Sequence, residues 1–163
     1  MADQDSIVFV GPGVMGEALA SGLIQRAGIA PTKIILSGPR PERLTELAER
    51  YGVRTNLDGR AAVAEASTVV LSVKPQTLDS VLQALRGAVP PQALVLSIVA
   101  GARMQDLKQG LAHPAVVRSM PNTPAQVGQG ITVWCATPET TPEQREEARR
   151  ILASCGRELF VEN

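Results

Sequence analysis

The stretch Ile7-Val8-Phe9-Val10-Gly11-Pro12-Gly13-Val14-Met15-Gly16 decides the fold. Its four leading apolar residues predict a buried strand that runs directly into a Gly-x-Gly-x-x-Gly turn. A helical pattern follows, with an apolar face formed by Met15, Ala18, Leu19, Gly22 and Leu23. A strand, a glycine turn and a helix in this order are the context in which the motif predicts dinucleotide binding.

Each glycine of the turn is expected to have its own role. Gly11 permits the tight turn, Gly13 lets a pyrophosphate approach the backbone, and Gly16 lets the helix and the strand pack closely. The same three glycines could instead form a plain turn with no ligand, because such loops also occur without one.

The backbone donors for a bound phosphate follow from the proline in the turn. Pro12 has no N–H group. The first turn of the next helix does present unpaired N–H groups, together with the positive end of the helix dipole. We therefore expect the N–H groups of Val14 and Met15 to donate to the phosphates.

Length and composition limit the classes of function. The 163 residues suit one domain, and 16 basic against 16 acidic residues with only four aromatic ones disfavour nucleic-acid binding. No signal-peptide or membrane-span pattern is present, so we expect a cytoplasmic protein with no membrane partner. Cys135 and Cys155 lack metal-ligand spacing and are predicted to be small buried side chains, so no metal is expected.

Strand and helix patterns alternate along residues 1–163 and predict an α/β fold of the Rossmann type. The expected architecture is a doubly wound, mostly parallel sheet with helices on both faces. The strand at 131–135 departs from strict alternation, because it follows another strand without a helix between them. Thr141 is predicted to cap the last helix in a capping box with Gln144, and Gly156 to end that helix. The predicted strands are 7–10, 33–37, 53–55, 68–73, 94–99, 115–120, 131–135 and 159–161.

Ligands of open parallel sheets bind beyond the carboxyl ends of the strands, so those ends supply the candidate site residues. After the second strand, an NAD site would need an acidic residue, but the sequence has Ser37-Gly38-Pro39-Arg40, with Arg43 close behind. A hydroxyl and a guanidinium can bind a 2′-phosphate that a carboxylate would repel, which favours NADP (NADPH) over NAD. Arg40 and Arg43 could equally be solvated residues at a helix start.

Three later strand ends carry further candidates. Lys74, held by Pro75, could meet the cofactor or substrate, although a solvated loop lysine would give the same pattern. Val99-Ala100 is small and apolar and leaves room for a nicotinamide or ribose. Asn122 and Thr123 lie between two prolines, and an ordinary turn does not explain this polar pair.

The reactive side chains favour hydride transfer. The only histidine, His113, is predicted to be a surface residue rather than a general acid. The sequence shows no Ser-His-Asp or Cys-His arrangement and no pair of carboxylates at the predicted strand ends. This disfavours hydrolysis. Hydride transfer depends on orientation and electrostatics more than on a nucleophile.

The motifs at residues 10–18, 73–76 and 118–125 occur in an order and spacing that resembles the amino-terminal half of pyrroline-5-carboxylate reductase. The third motif is the most specific, because its Pro-Asn-Thr-Pro turn is much rarer than a glycine motif. The resemblance covers essentially the whole chain. It implies NAD(P)H-dependent reduction of 1-pyrroline-5-carboxylate, a small imino acid, to L-proline in the last step of proline biosynthesis.

The resemblance also implies roles for individual residues. Ser37 and Arg40 would face the adenosine 2′-phosphate, while Asn122 and Thr123 would lie near the nicotinamide and the substrate. Gly59 stands where the family often has an asparagine that contacts the cofactor, so that contact is not expected here. The residues implied to bind the cofactor are Gly11, Pro12, Gly13, Val14, Met15, Gly16, Ser37, Arg40, Val73, Lys74, Pro75, Val99, Ala100 and Asn122.

Members of that family carry a second, helical domain, which forms the dimer and binds the imino acid, and nothing in the sequence matches it. We therefore expect the chain to supply the cofactor-binding domain, with a homo-oligomer only where the helical domain is present. No catalytic residue is assigned. Two alternatives stay open: another NADP-dependent reductase of the β-hydroxyacid-dehydrogenase-like type, and a non-catalytic module that binds or senses NADP.

Overall fold

The computed structural model describes residues 5–120 and 130–162, which form one eight-stranded sheet with helices on both faces. The strands are β1 (Ser6–Val10), β2 (Ile34–Ser37), β3 (Arg54–Asn56), β4 (Ala66–Leu71), β5 (Leu94–Ser97), β6 (Val116–Met120), β7 (Gly130–Ala136) and β8 (Gly156–Phe160). The helices are α1 (Val14–Gln25), α2 (Pro41–Tyr51), α3 (Gly59–Val63), α4 (Leu78–Leu85), α5 (Met104–Leu111) and α6 (Pro142–Ala153). The predicted α/β architecture is confirmed.

The strand order is β3-β2-β1-β4-β5-β6-β7-β8. The chain first builds outward from β1 to β3 and then returns to the other side of β1 with β4. Every neighbouring pair is parallel except β6 and β7, so the sheet is mostly parallel, as predicted. The helices that follow β1 and β4 pack on opposite faces, which opens a crevice beyond the carboxyl ends of these two strands.

Two apolar layers hold the sheet between the helices. Ile7 and Phe9 of β1 join the core that α1, α2 and α6 cover, whereas Val8 and Val10 join the core under α3, α4 and α5. All five residues of β1 are buried. Because both faces of a parallel strand are covered in this way, its sequence is a continuous apolar run rather than an alternating one.

The start of α6 follows its predicted capping box. The Thr141 hydroxyl accepts the N–H of Gln144 at 3.0 Å, and the Gln144 side chain accepts the N–H of Thr141 at 2.9 Å. The predicted role of Gly156 is wrong, because this residue begins β8 instead of capping the helix. Its φ is +132°, and a Cβ there would lie 2.2 Å from the carbonyl oxygen of Gly130 on the neighbouring strand.

Some strand boundaries differ from the prediction because side chains end the pairing. β4 covers 66–71 rather than the predicted 68–73, and just beyond its end the hydroxyl of Ser72 bonds to the carbonyl oxygens of Val10 and Gly11. β5 ends at Ser97, whose hydroxyl accepts the N–H of Val99 at 3.2 Å.

His113 is buried, which corrects the prediction of a surface residue. Its exposed fraction is 5%, and its Nε2 lies 2.6 Å from the carbonyl oxygen of Ala93. Burial lowers the pKa of His113, and the hydrogen bond to Ala93 raises it by less. The connection between α5 and β6 packs against the sheet, which the polar character of a lone histidine did not reveal. Cys135 and Cys155 are buried free thiols, as predicted.

Candidate dinucleotide-binding site

A cleft of about 540 Å³ lies beyond the carboxyl ends of β1, β2 and β4, where the strand order reverses. Open α/β sheets bind their ligands at this position. The glycine turn forms one wall, the β2–α2 connection a second, and the segment from β4 into α4 a third. The lining residues are Gly11, Pro12, Gly13, Gly38, Pro39, Arg40, Arg43, Leu44, Ser72, Val73, Lys74, Thr77, Ser80 and Val81.

The charged residues that line this cleft all have the same sign. They are Arg40, Arg43 and Lys74, and none of the described lining residues is an acid. Arg40 and Lys74 are exposed, and neither side chain forms an ion pair with another residue in the described ranges. Since the chain has equal numbers of basic and acidic residues, the positive cleft is a local arrangement that suits an anionic ligand.

Two glycines of the turn are required by the protein's own packing. Gly11 has a φ of +75°, its N–H donates to the carbonyl of Ser37 at 2.8 Å, and a Cβ there would lie 2.3 Å from Cγ1 of Val73. A Cβ on Gly16 would lie 2.7 Å from Oγ of Ser72. These positions support the predicted turn and the predicted close packing of helix and sheet.

Gly13 differs, because nothing in the chain needs a glycine there. Its φ is −87°, which any residue adopts, and a Cβ would meet only the carbonyl oxygen of Ser72, at 4.0 Å. The missing side chain instead leaves the backbone open to the cleft. This space fits the predicted approach of a pyrophosphate.

The predicted phosphate donors adjoin Gly13 at the start of α1, although neither Val14 nor Met15 is among the residues that line the cleft. The Gly13 N–H already donates to the carbonyl of Gly11 at 2.8 Å, and the helical ladder begins where Glu17 donates to the Gly13 carbonyl at 2.9 Å. The N–H groups of Val14 and Met15 precede that bond and have no acceptor inside the helix. They therefore lie at the N-terminus of α1, where the helix dipole also favours an anion.

Ser72 fixes the turn from the adjacent strand. Its hydroxyl lies 3.1 Å from the carbonyl oxygens of both Val10 and Gly11, and its N–H donates to Val10 at 3.0 Å. Val73 and Lys74 follow on the wall of the cleft, whereas Pro75, which begins a 3₁₀ turn, does not line it.

The two residues expected at the 2′-phosphate differ in access. Arg40 is the exposed N-cap of α2 and lines the cleft. Ser37 is 2% exposed and does not line it. The connection between them touches the glycine turn, since a Cβ on Gly38 would lie 3.3 Å from Cδ of Pro12. Arg40 thus borders the cleft, whereas Ser37 is buried and does not.

The remaining predicted residues lie outside this cleft or outside the description. Val99 is 2% exposed and packs in the core, and Ala100 is exposed after it; neither lines the cleft. Asn122 and Thr123 lie outside the described residues. Their roles stay predictions.

An ion-pair network joining α1 to α2 was missed from the sequence. The carboxylate of Glu17 accepts Nη2 of Arg43 at 2.8 Å, Nη1 of Arg50 at 2.5 Å and the hydroxyl of Tyr51 at 2.7 Å. Burial raises the pKa of Glu17, but the hydrogen bond from Tyr51 and the hydrogen bonds and charges of the arginines outweigh it, so its pKa lies below the ordinary value. The available signal was the spacing of Arg43 and Arg50, two turns apart on α2.

Other classes of site find no support in residues 5–120 and 130–162. No group of three His, Cys, Asp or Glu side chains in these ranges could hold a metal ion. Within the same ranges, no helix is both long and apolar enough to cross a bilayer. A second cavity, of about 470 Å³, lies near the amino ends of β1, β4 and β5 and is lined by both acidic and basic residues, including Asp5, Lys33 and Glu147.

Comparison with known proteins agrees with the fold and the motifs. The chain is 39% identical to the pyrroline-5-carboxylate reductase of Synechocystis over 152 residues, which cover 93% of this chain and 57% of that protein. The relative from Pseudomonas aeruginosa is 37% identical, with 96% of this chain and 58% of that protein covered. The chain therefore spans somewhat more than half the length of these relatives, and the predicted resemblance is confirmed.

Solved structures give the same result. A pyrroline-5-carboxylate reductase from Coxiella burnetii superposes with a TM-score of 0.93 at 29% identity, covering 99% of this chain and 60% of that one. The Plasmodium falciparum pyrroline carboxylate reductase, solved with NADP bound, gives a TM-score of 0.84 at 25% identity, covering 99% and 58%. The model of the family described as NADP oxidoreductase, coenzyme F420-dependent, matches residues 6–101. This match covers more than half of the chain, which therefore belongs to that family of NADP oxidoreductases.

Proposed function

We propose that this chain binds NADPH and serves as the cofactor-binding domain for the reduction of 1-pyrroline-5-carboxylate to L-proline. The observation that carries the proposal is the positive cleft around Gly13. Three cationic side chains line this cleft, the N-terminus of α1 adjoins it, and Gly13 has no side chain that would keep a ligand away from the backbone. NADPH is a polyanion with a pyrophosphate and a 2′-phosphate, so both its charge and its shape suit this cleft.

The residues of this chain have binding and orienting roles in the proposal. The N–H groups of Val14 and Met15 would hold the pyrophosphate, and Arg40 would bind the 2′-phosphate. Lys74 would add charge at the opposite wall. The other residues assigned to the cofactor by resemblance are Gly11, Pro12, Gly16, Ser37, Val73, Pro75, Val99, Ala100 and Asn122, with Asn122 and Thr123 near the substrate.

Bound NADPH supplies the hydride that reduces the imine carbon. The described lining residues of the cleft include neither a histidine nor a carboxylate, so we assign no proton donor among them. The relatives are longer by about two fifths of their length, since the chain covers 57% and 60% of two of them. The proposed domain, residues 1–163, would act together with a helical part that binds the imino acid. A cytoplasmic location belongs to the same proposal.

The cofactor assignment is tested by titrating the chain with NADPH and with NADH and following the unfolding temperature. A ligand that binds only the folded state raises that temperature, and at equal ligand concentration the rise is larger for the tighter-binding ligand. We expect a larger rise with NADPH. Equal rises would count against a 2′-phosphate site, and no rise with either would contradict the proposed domain function.

The reaction is tested with the full-length protein that contains this domain. It should oxidise NADPH in the presence of 1-pyrroline-5-carboxylate and form proline in equal amount. Tight NADPH binding without this turnover would favour the non-catalytic module instead.

A further inference from the structure

Arg43 lies in the wall of the cleft, one turn along α2 from Arg40. Its side chain is 21% exposed, which is far less than a freely solvated arginine. A partly buried guanidinium that borders a cleft is already ordered, so it loses less conformational entropy than a solvated arginine when it donates to a ligand.

Glu17 holds this guanidinium in place. Nη2 of Arg43 donates to Oε2 of Glu17 at 2.8 Å, and Nη1 lies 3.7 Å from a carboxylate oxygen of Glu46. Glu17 is itself only 19% exposed and is fixed by Arg50 and Tyr51. A guanidinium has five N–H donors, so the contact with Glu17 orients Arg43 and leaves other donors for a second anion.

Ser37, in contrast, has little access to the same ligand. It is 2% exposed, and its Oγ lies only 3.7 Å from the position that a Cβ on Gly59 would take, on the side of α3. A phosphate bound by Arg40 at the mouth of the cleft would therefore meet Arg43 before it met the Ser37 hydroxyl.

We propose that Arg43, positioned by Glu17, binds the 2′-phosphate of NADPH beside Arg40, in the role that the sequence had suggested for Ser37. The inference rests on the proposed NADPH-binding function and names the residue that sets its preference over NADH. A guanidinium binds phosphate through paired, charge-assisted hydrogen bonds, which are stronger than those of a neutral hydroxyl. Arg43 is therefore a specificity-determining residue and Glu17 its positioning residue.

Arg50 provides the matched control. It comes from the same helix and binds the same carboxylate, but it does not line the cleft. Arg43→Ala and Arg50→Ala each remove one partner of Glu17, but only Arg43→Ala removes a side chain that lines the cleft. Dissociation constants for NADPH and NADH are measured on the 163-residue chain by calorimetric titration, at one fixed salt concentration.

We expect Arg43→Ala to weaken NADPH binding about tenfold, as the loss of a charged hydrogen bond implies, and to leave NADH binding unchanged. In Arg50→Ala, the ratio of the dissociation constants for NADPH and NADH should be the same as in the unsubstituted chain. Arg43→Lys, which keeps the charge but loses the planar fork, should retain part of the preference and guards against a folding defect in the alanine variant.

Two results would overturn the inference alone: an unchanged ratio in Arg43→Ala, or an equal loss of the ratio in Arg50→Ala. Failure of the unsubstituted chain to bind either cofactor would instead overturn the proposed function, and this inference with it.

Discussion

Every residue of β1 at the centre of the sheet is buried. Buried and exposed residues alternate along the first half of β7, and half-buried and exposed residues alternate along β8. β1 and β7 are both rich in apolar residues, so apolar content does not explain the difference between these two strands. Helices cover both faces of β1. At β7 and β8, α6 covers one face, where Trp134 is 2% exposed and packs edge-on against Phe160 at 4.8 Å.

The opposite face of β7 and β8 carries a row of exposed apolar side chains. Met120, Val133 and Leu159 lie side by side in the strand register and are 45%, 40% and 56% exposed. No helix of the described ranges packs over this row. Burial along a strand therefore follows the number of layers that cover it: it is continuous along β1, which two layers cover, and alternates where one layer does.

The largest expected effect comes from truncating one apolar side chain in each of the two regions. Phe9→Ala should lower the free energy of unfolding by about 3–5 kcal/mol, because it leaves a cavity in a core closed on all sides. Leu159→Ala should change it by less than about 0.5 kcal/mol, because most of that side chain is already in water. Urea unfolding of both variants measures the difference, and similar losses would contradict the assigned coverage.

The next-largest effect is expected at the glycine turn, which follows the carboxyl end of the central strand β1. Gly11→Ala should cost about 2–4 kcal/mol, since left-handed backbone strain adds to overlap with Val73. Gly28→Ala is the control: its φ is +73°, but nothing lies within 4 Å of the added methyl group, so only the strain of about 1 kcal/mol remains. Equal costs for the two substitutions would show that the Val73 contact is unimportant.

A smaller effect is expected at the network that joins α1 to α2. The pKa of Glu17 lies below its ordinary value of 4.5 in the folded protein, so its carboxylate stabilises the fold above that pH. The stabilisation is lost as the pH falls through the lowered folded pKa. Glu17→Gln should cost about 1 kcal/mol at neutral pH and flatten the acid limb of the stability curve. Glu46→Gln, at a more exposed carboxylate, is the control. Urea unfolding at a series of pH values should show a steeper acid limb in Glu46→Gln than in Glu17→Gln, and equal slopes in the two variants would contradict the role of Glu17.

The smallest effect is expected from the buried histidine. Burial holds the pKa of His113 below its ordinary value of 6.5, so the unfolded chain binds a proton more readily. Stability should therefore fall as the pH drops below 6.5 toward the lowered folded pKa. His113→Gln should remove this slope between pH 7.5 and 5, measured by urea unfolding. Because the chain has one histidine, a slope that persists in the variant would contradict this assignment.

The accuracy of the sequence predictions follows the range of the interactions behind them. The run into Gly11 and the capping box at Thr141 depend on neighbours within a few residues, and both are confirmed. The burial of His113 depends on Ala93, twenty residues away, and was predicted wrongly. The cluster on Glu17 joins residues 26 to 34 positions apart, and no local pattern revealed it.

By itself, the sequence determined the alternation of strands and helices, the glycine turn and the absence of an acid after β2, because periodicity, backbone freedom and charge are properties of local residues. Only the tertiary structure decided which side chains reach the cleft. It buries Ser37, leaves Arg40 exposed and fixes Arg43 on Glu17. Such access depends on how one helix packs against another, and the residues of either helix alone do not specify it.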